Sequence, residues 1–231
     1  MVGQCRVFYL GRYDYKKATA LQERLVRQRT AAVIPDTLLL LSHPPVFTIG
    51  RKGTRANILV NEEVLLREGI AVHETDRGGD ITYHGPGQLV GYAILDLRRH
   101  GQDLHRLIHN YEEVIIRVLN HYGIEGRRFE EYPGVWVRAA KICALGIAVS
   151  NWVCYHGFAL NIEPNMEHFS YILPCGIREL GVTSLSRVLG RPVPEREVAA
   201  KVASSFGDVF SMRMLTETSL EKLCQAGSEA V

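Results

Sequence analysis

The longest regular pattern in the chain is helical. Leu104, Leu107, Ile108, Tyr111, Val114, Ile115, Val118, Leu119 and Tyr122 recur at three- and four-residue spacing, which predicts one apolar stripe on a helix capped by Asp103 and stopped by Gly123. A second helix follows Asp14, with Ala18, Leu21 and Leu25 on one face. A third runs over residues 194–210 on Val198, Ala199, Val202, Phe206 and Phe210. Asn61 caps a shorter one through Arg67, closed by Gly69, and residues 220–224 suggest a last short turn of helix. Strands are predicted at 5–10, 46–49 and 89–97. At 37–41 the run is continuously apolar, the mark of a strand buried on both faces. The successive strand patterns at 135–137, 142–149 and 154–162, with turns at 138–140 and 150–152, predict an antiparallel meander. The expected architecture is one α+β domain over residues 1–231, a mixed sheet packed by helices, with a frayed tail at 220–231.

Residues 77–88, RGGDITYHGPGQ, break this pattern. Five of the twelve positions are Gly or Pro. Gly78, Gly79, Gly85 and Gly87 permit positive φ and close backbone approach, and Pro86 biases Gly85 away from the helical region. The stretch therefore predicts a shaped loop, not a strand, held between flanking apolar runs as functional loops are. The basic turn Gly50-Arg51-Lys52-Gly53 could meet a phosphate or simply be solvated.

At 231 residues, 46% hydrophobic and 23% charged, the chain is long enough to bury a sizeable core. Its net charge of +2 from 27 basic and 25 acidic residues gives no electrostatic argument for nucleic acid or a membrane surface. No apolar run reaches the roughly 20 residues a membrane-spanning helix needs. The opening MVGQCRVFYLGRYDYKK, basic and without acid before Asp14, reads either as a mitochondrial address or as a first strand.

Five scattered cysteines without a C-x-x-C pair, Cys5, Cys143, Cys154, Cys175 and Cys224, point to a reducing compartment and away from a disulfide framework or zinc-thiolate site. Cys175, between Pro174 and Gly176, has the setting of a nucleophile on a turn, whereas Cys143 and Cys154 lie inside apolar runs. A thiol of ordinary pKa about 8.5 needs a cation or base beside it. Lys141, His84 and His156 are the candidates. His105 and His109 stand four apart, but Arg106 takes the place a metalloprotease motif gives to glutamate, so they read as surface residues.

RGGDITYHGPGQ, then Pro133-Gly134-Val135-Trp136-Val137, Lys141-Ile142-Cys143-Ala144-Leu145-Gly146, His156-Gly157-Phe158-Ala159-Leu160-Asn161, Pro174-Cys175-Gly176-Ile177 and Val182-Thr183-Ser184-Leu185 form an ordered series that resembles the octanoyl-[acyl carrier protein]:protein N-octanoyltransferases of lipoate biosynthesis. The segment His43-Pro44-Pro45-Val46-Phe47-Thr48-Ile49-Gly50-Arg51 is similar to that family's early segment. The resemblance implies the fold of lipoate and biotin protein ligases and a catalytic dyad of Cys175 and Lys141. It also implies an acyl site lined by Arg77, Gly78, Gly79, Asp80, Ile81, Thr82, Tyr83 and His84, by Ala144, Leu145 and Gly146, and by His156, Gly157 and Phe158. It implies octanoyl-acyl carrier protein as donor, lipoyl domains of 2-oxoacid dehydrogenases and the glycine cleavage H protein as acceptors, and no cofactor or metal. The expected compartment is the mitochondrial matrix, with bacterial cytoplasm as the alternative. Two other readings remain at this point, an ATP-dependent lipoate ligase that does not require Cys175 and a catalytically silent lipoyl-domain binder.

Overall fold

A computed structural model describes residues 3–173 and 181–218. The Asp14 carboxylate accepts from Lys17 N at 3.0 Å and starts helix α1 (Tyr15–Thr30). Before it lies strand β1 (Gly3–Arg12). Strand β2 (Asp36–Ser42) is buried at every position, and so is β6 (Gln88–Asp96), its antiparallel partner.

The continuous apolar run of β2 reflects its two covered faces. Leu38 and Leu40 enter a core built with α3 (Leu104–Asn120) and α6 (Glu195–Phe210), while Leu39 and Leu41 enter a second core against α1. Burying both faces leaves no polar alternation to read. Asp103 caps α3 as predicted, accepting from His105 N at 2.9 Å and Arg106 N at 3.1 Å. The meander is present as β7 (Gly134–Val137), β8 (Ala140–Ser150) and β9 (Val153–Asn161).

Two short strands complete the large sheet, β10 (Gly181–Val182), parallel to the start of β8, and β11 (Met212–Glu217), parallel to β1. Neither is signalled by the sequence pattern: β10 is two residues long, and β11 reads M-R-M-L-T-E without clean alternation. The main strand order is β10-β8-β9-β6-β2-β1-β11, with β7 beside β8. Short helices α4 (Glu167–Ser170) and α5 (Leu185–Leu189) also go beyond the pattern. The helix expected at 220–224 and the frayed tail lie outside the described residues.

A smaller three-stranded sheet packs separately: β3 (Val46–Ile49) between β4 (Ala71–Glu74) and β5 (Ile81–His84). Its core of Phe47, Ile49, Leu65, Ile70, Ile81, Tyr83 and Ile172 includes Leu65 of α2 (Glu62–Arg67), capped by Asn61 as expected. Strand β5 corrects the reading of residues 77–88 as loop throughout. Ile81-Thr82-Tyr83-His84 is β-branched and aromatic enough to pair with Val46–Ile49, so only the glycine-bearing ends are irregular. The mixed α+β class predicted from the sequence is the observed one. Among the described residues no helix is long and apolar enough to cross a membrane.

Candidate active site

The glycine loop is held from two sides. Behind it, the basic turn donates three backbone bonds, Gly50 N to Asp80 O, Arg51 N to Arg77 O and Lys52 N to Gly79 O, at 3.0 to 3.2 Å. In front, Gly78 N donates to Ile147 O of β8 at 2.8 Å. The turn that the sequence left open to a phosphate is thus the loop's support. Arg77 is buried and committed: its guanidinium donates to Thr48 O at 2.6 Å and to Thr48 Oγ1 at 2.9 and 3.1 Å. Gly146 faces this arginine so closely that a Cβ there would lie 3.0 Å from Arg77 Cδ and 3.1 Å from Gly78 O. Gly79 has φ +88°, a conformation that suits glycine.

Alternation along β5 divides its side chains. Ile81 and Tyr83 enter the small core. Thr82 pairs across from Thr48, and the His84 ring lies 5.9 Å from that of His43 and 6.5 Å from that of Tyr15. On β8 and β9, Leu145 is opposite Phe158 and Gly146 opposite Gly157. The loop's first residues, Gly146 and His156 therefore come together, while Ile81 and Tyr83 present only backbone to the same side.

His156 Nε2 shares a hydrogen bond with Asp76 Oδ1 at 2.9 Å, and the Tyr155 hydroxyl donates to the other oxygen of the same carboxylate. Burial raises the Asp76 pKa, but these two hydrogen bonds outweigh it and hold the carboxyl below its ordinary range. Burial drives the His156 pKa down despite Asp76, and it drives His84 well below its usual value, with the neighbouring His43 and Arg77 adding to it. Both histidines are therefore neutral near pH 7, and neither supplies a cation to a thiol. Asp76, one residue before the glycine loop, ties it to β9. Its place in E-T-D-R gave no signal in the sequence.

Lys141, at the head of β8, is half-buried. Its ammonium donates to Pro133 O at 3.2 Å and lies 4.7 Å from the centroid of the Trp136 ring. Cys143, two residues further along β8, is fully buried, and burial pushes its pKa up, so it behaves as a small core side chain. Cys154 is likewise buried and pushed up to about 12. Cys175, the residue chosen as nucleophile, lies outside the described residues.

The described residues on either side of that segment are anchored to the site. Leu173 N donates to Asn57 O at 2.9 Å, and Asn57 Nδ2 donates to both carboxylate oxygens of Asp80 at 2.9 Å. On the far side Gly181 and Val182 pair with Ala140 and Lys141, and Thr183 N donates to Lys141 O at 3.0 Å. Asn57 was not among the sequence candidates, because a single asparagine in R-A-N-I carries no spacing signal. Among the described residues no group of three or more His, Cys, Asp or Glu side chains is placed to hold a metal ion.

Residues 14–207 match the family described as the lipoyl protein ligase A/B catalytic domain. An octanoyltransferase of Caldicellulosiruptor saccharolyticus is 51% identical over 94% of each chain. Further octanoyltransferases at 45 to 51% identity also come from bacteria, so the mitochondrial expectation has no support. Among solved structures, a bipartite lipoate protein ligase of Thermoplasma acidophilum superposes with a TM-score of 0.70 at 16% identity, over 98% of this chain and 91% of that one. A biotin protein ligase of Aquifex aeolicus gives 0.55 at 16% identity, over 89% and 70%. These likenesses speak to the fold. The sequence relationship goes further: the chain belongs to the octanoyltransferase family, acyltransferases on the lipoate/biotin protein ligase catalytic fold.

Proposed function

We propose that this enzyme moves an octanoyl group from acyl carrier protein to the lysine amine of lipoyl domains by way of a thioester on Cys175, with Lys141 as its acid–base partner. The observation that carries the reading is the anchoring just described. Residues 174–180 are preceded by Leu173, bonded to the residue that grips the glycine loop, and followed by Gly181 and Val182, paired with Ala140 and Lys141. Along the chain Cys175 is two positions from Leu173 and seven from Val182. Of the three candidate activators, His84 and His156 are neutral, which favours the lysine as the cation beside a thiolate.

In the first half-reaction the Cys175 thiolate attacks the thioester carbonyl. The bond to the carrier's thiol breaks, and that thiol leaves with the proton of the Lys141 ammonium. In the second, the acceptor amine attacks the acyl-cysteine and gives its proton to the now neutral Lys141. The amide forms and Cys175 departs as thiolate, restoring the ion pair. Backbone N–H groups of the glycine loop or beside Cys175 receive the oxyanion in each step. The acceptors fitting this chemistry are lipoyl domains of 2-oxoacid dehydrogenases and the glycine cleavage H protein. The bacterial origin of the relatives favours the bacterial cytoplasm as the compartment.

Intact-mass measurement after incubation with octanoyl-acyl carrier protein tests the scheme. A hydroxylamine-labile octanoyl increment on Cys175, lost in Cys175→Ser together with turnover, is the expected result. Transfer that persists in Cys175→Ser, or that needs ATP and leaves the thiol bare, would overturn it. For the partner, Lys141→Met should raise the pH midpoint of Cys175 alkylation toward the free-thiol value and slow neutral-pH loading at least tenfold, about the effect of one pKa unit. Lys141→Arg should restore thiolate without restoring proton transfer.

A further inference from the structure

A single peptide group between α3 and the β7–β8 hairpin is gripped by opposite charges at its two ends. Lys141 Nζ donates to the Pro133 carbonyl at 3.2 Å. The N–H of Gly134, the other end of the same peptide, donates to Glu112 Oε1 at 3.0 Å. Glu112 is an anomaly on its helix: it shares the buried side of α3 with Leu107, Tyr111 and Ile115, and is 6% exposed. A carboxylate in that position costs desolvation that packing cannot return. Its other charged neighbour is Arg128, whose Nε is 3.3 Å from Oε2, and Arg128 also turns outward to Glu113 at 2.6 Å.

The peptide is shaped to receive the lysine. Gly134 has φ +135°, and a Cβ there would fall 2.6 Å from Cys143 O and 3.3 Å from Lys141 Cε. The missing side chain is thus the space over which the lysine stem passes. Trp136, itself buried, supplies a ring face to the ammonium.

We propose that Glu112 is the positioning residue of Lys141, acting through the Pro133–Gly134 peptide to fix the ammonium over Trp136 and to favour its charged form. A carboxylate accepting from the amide end polarises the peptide and makes its carbonyl a stronger acceptor for the ammonium. The negative charge also acts directly through space. Among the described residues, the titratable and charged groups facing this assembly include Glu112 and Glu113 on α3, Arg128 on the following loop, and the Cys143 thiol on β8, to which the proposed function adds the Cys175 thiol. Of these, Arg128 opposes Glu112. The inference builds on the reading of Lys141 as the acid–base group.

Site-resolved competitive acetylation of the whole protein across pH 7 to 11, read by peptide mapping with the other five lysines as internal references, measures the Lys141 titration without requiring activity. Glu112→Gln keeps an acceptor for Gly134 N–H and removes the charge. The Lys141 midpoint should then fall by about one pH unit, the size of a unit charge acting over about 8 Å at an effective dielectric between those of protein and water. Arg128→Leu should move it upward, and the pH optimum of acyl loading should follow Lys141 in each variant. Midpoints unmoved in both folded variants, or loading lost equally at every pH with the Lys141 titration unchanged, would reduce Glu112 to a structural role and overturn the proposal. If Glu112→Gln fails to fold, the sign of the Arg128→Leu shift decides alone. Full turnover in Lys141→Met would sink the dyad while leaving the labelling shifts intact, so the two failures are distinguishable.

Discussion

Acid should weaken this protein before its carboxylates protonate, and His43 shows why. The ring is fully buried, with Nδ1 2.6 Å from Tyr13 O and Nε2 2.8 Å from the Tyr92 hydroxyl. A carbonyl only accepts, so Nδ1 carries the proton and Nε2 accepts from Tyr92: the neutral tautomer satisfies both ends. Burial pulls its pKa down to about 4, against 6.5 for a free histidine. Between those values the unfolded chain binds a proton that the folded chain refuses, so stability falls as pH falls, beginning near 6.5 and complete near 4. The slope is about 1.4 kcal/mol per pH unit, and the sum about 3 kcal/mol. His84 and His156, also held below the ordinary value by burial, steepen the same limb. Against a typical total of about 5–15 kcal/mol this is a large fraction. Urea midpoints from pH 7.5 to 4.5 measure the slope, and the His43 ring-proton NMR titration gives the midpoint directly. His43→Gln should be less stable at pH 7 yet shallower by about one proton. Equal slopes in the two proteins, or a His43 midpoint above 6, would refute the reasoning.

Asp76→Ala orphans the buried His156 Nε2 and frees the glycine loop from β9, so it should cost about 2 kcal/mol, lower Tm by about 4–8 °C and raise KM for the acyl donor; calorimetry and loading kinetics check it. Gly91→Ala would place a Cβ 2.1 Å from the Phe158 ring, costing about 1–3 kcal/mol in urea unfolding and, on the proposed acyl site that includes Phe158, slowing acyl loading. Below pH 4 a separate loss should follow as Asp36 protonates. Burial raises its pKa, but bonds from His100 and Arg29 and from Asp96 N hold it below 3.8, so its contribution is present above that value and fades beneath it. Asp36→Ala should remove that limb and cost about 3 kcal/mol at pH 7, because among the described residues it leaves the buried Arg29 guanidinium with only the longer 3.6 Å contact to Asp96 as an ion pair.

How much of this was legible depends on the length scale of the interaction. Helix α3 was readable because a stripe and a cap are local, and β2 because burial on both faces leaves a bare apolar run. Strand β11 was not, since its place beside β1 is fixed by a partner some two hundred positions away and not by its own alternation. Residues 77–88 gave a mixed result for the same reason. Glycine at 79 announced an unusual backbone, but Ile81–His84 becomes a strand only because β3 offers it an edge. At the site, residue types with intrinsic chemistry stood out: a lysine heading a strand, histidines, a cysteine between proline and glycine. The side chains that organise them did not. Asn57 and Asp76 look ordinary in sequence and matter through what they hold, Asp80 with Leu173 in one case and His156 with Tyr155 in the other. Glu112 was not read from the sequence either, and only its burial in the fold singles it out. It follows Tyr111 toward the apolar stripe of α3, and a glutamate there needs a partner inside the molecule. The partner is a backbone N–H whose carbonyl end carries Lys141. A charged residue near a core face is thus a pointer to the site one peptide away, and the structure supplies the direction in which it points.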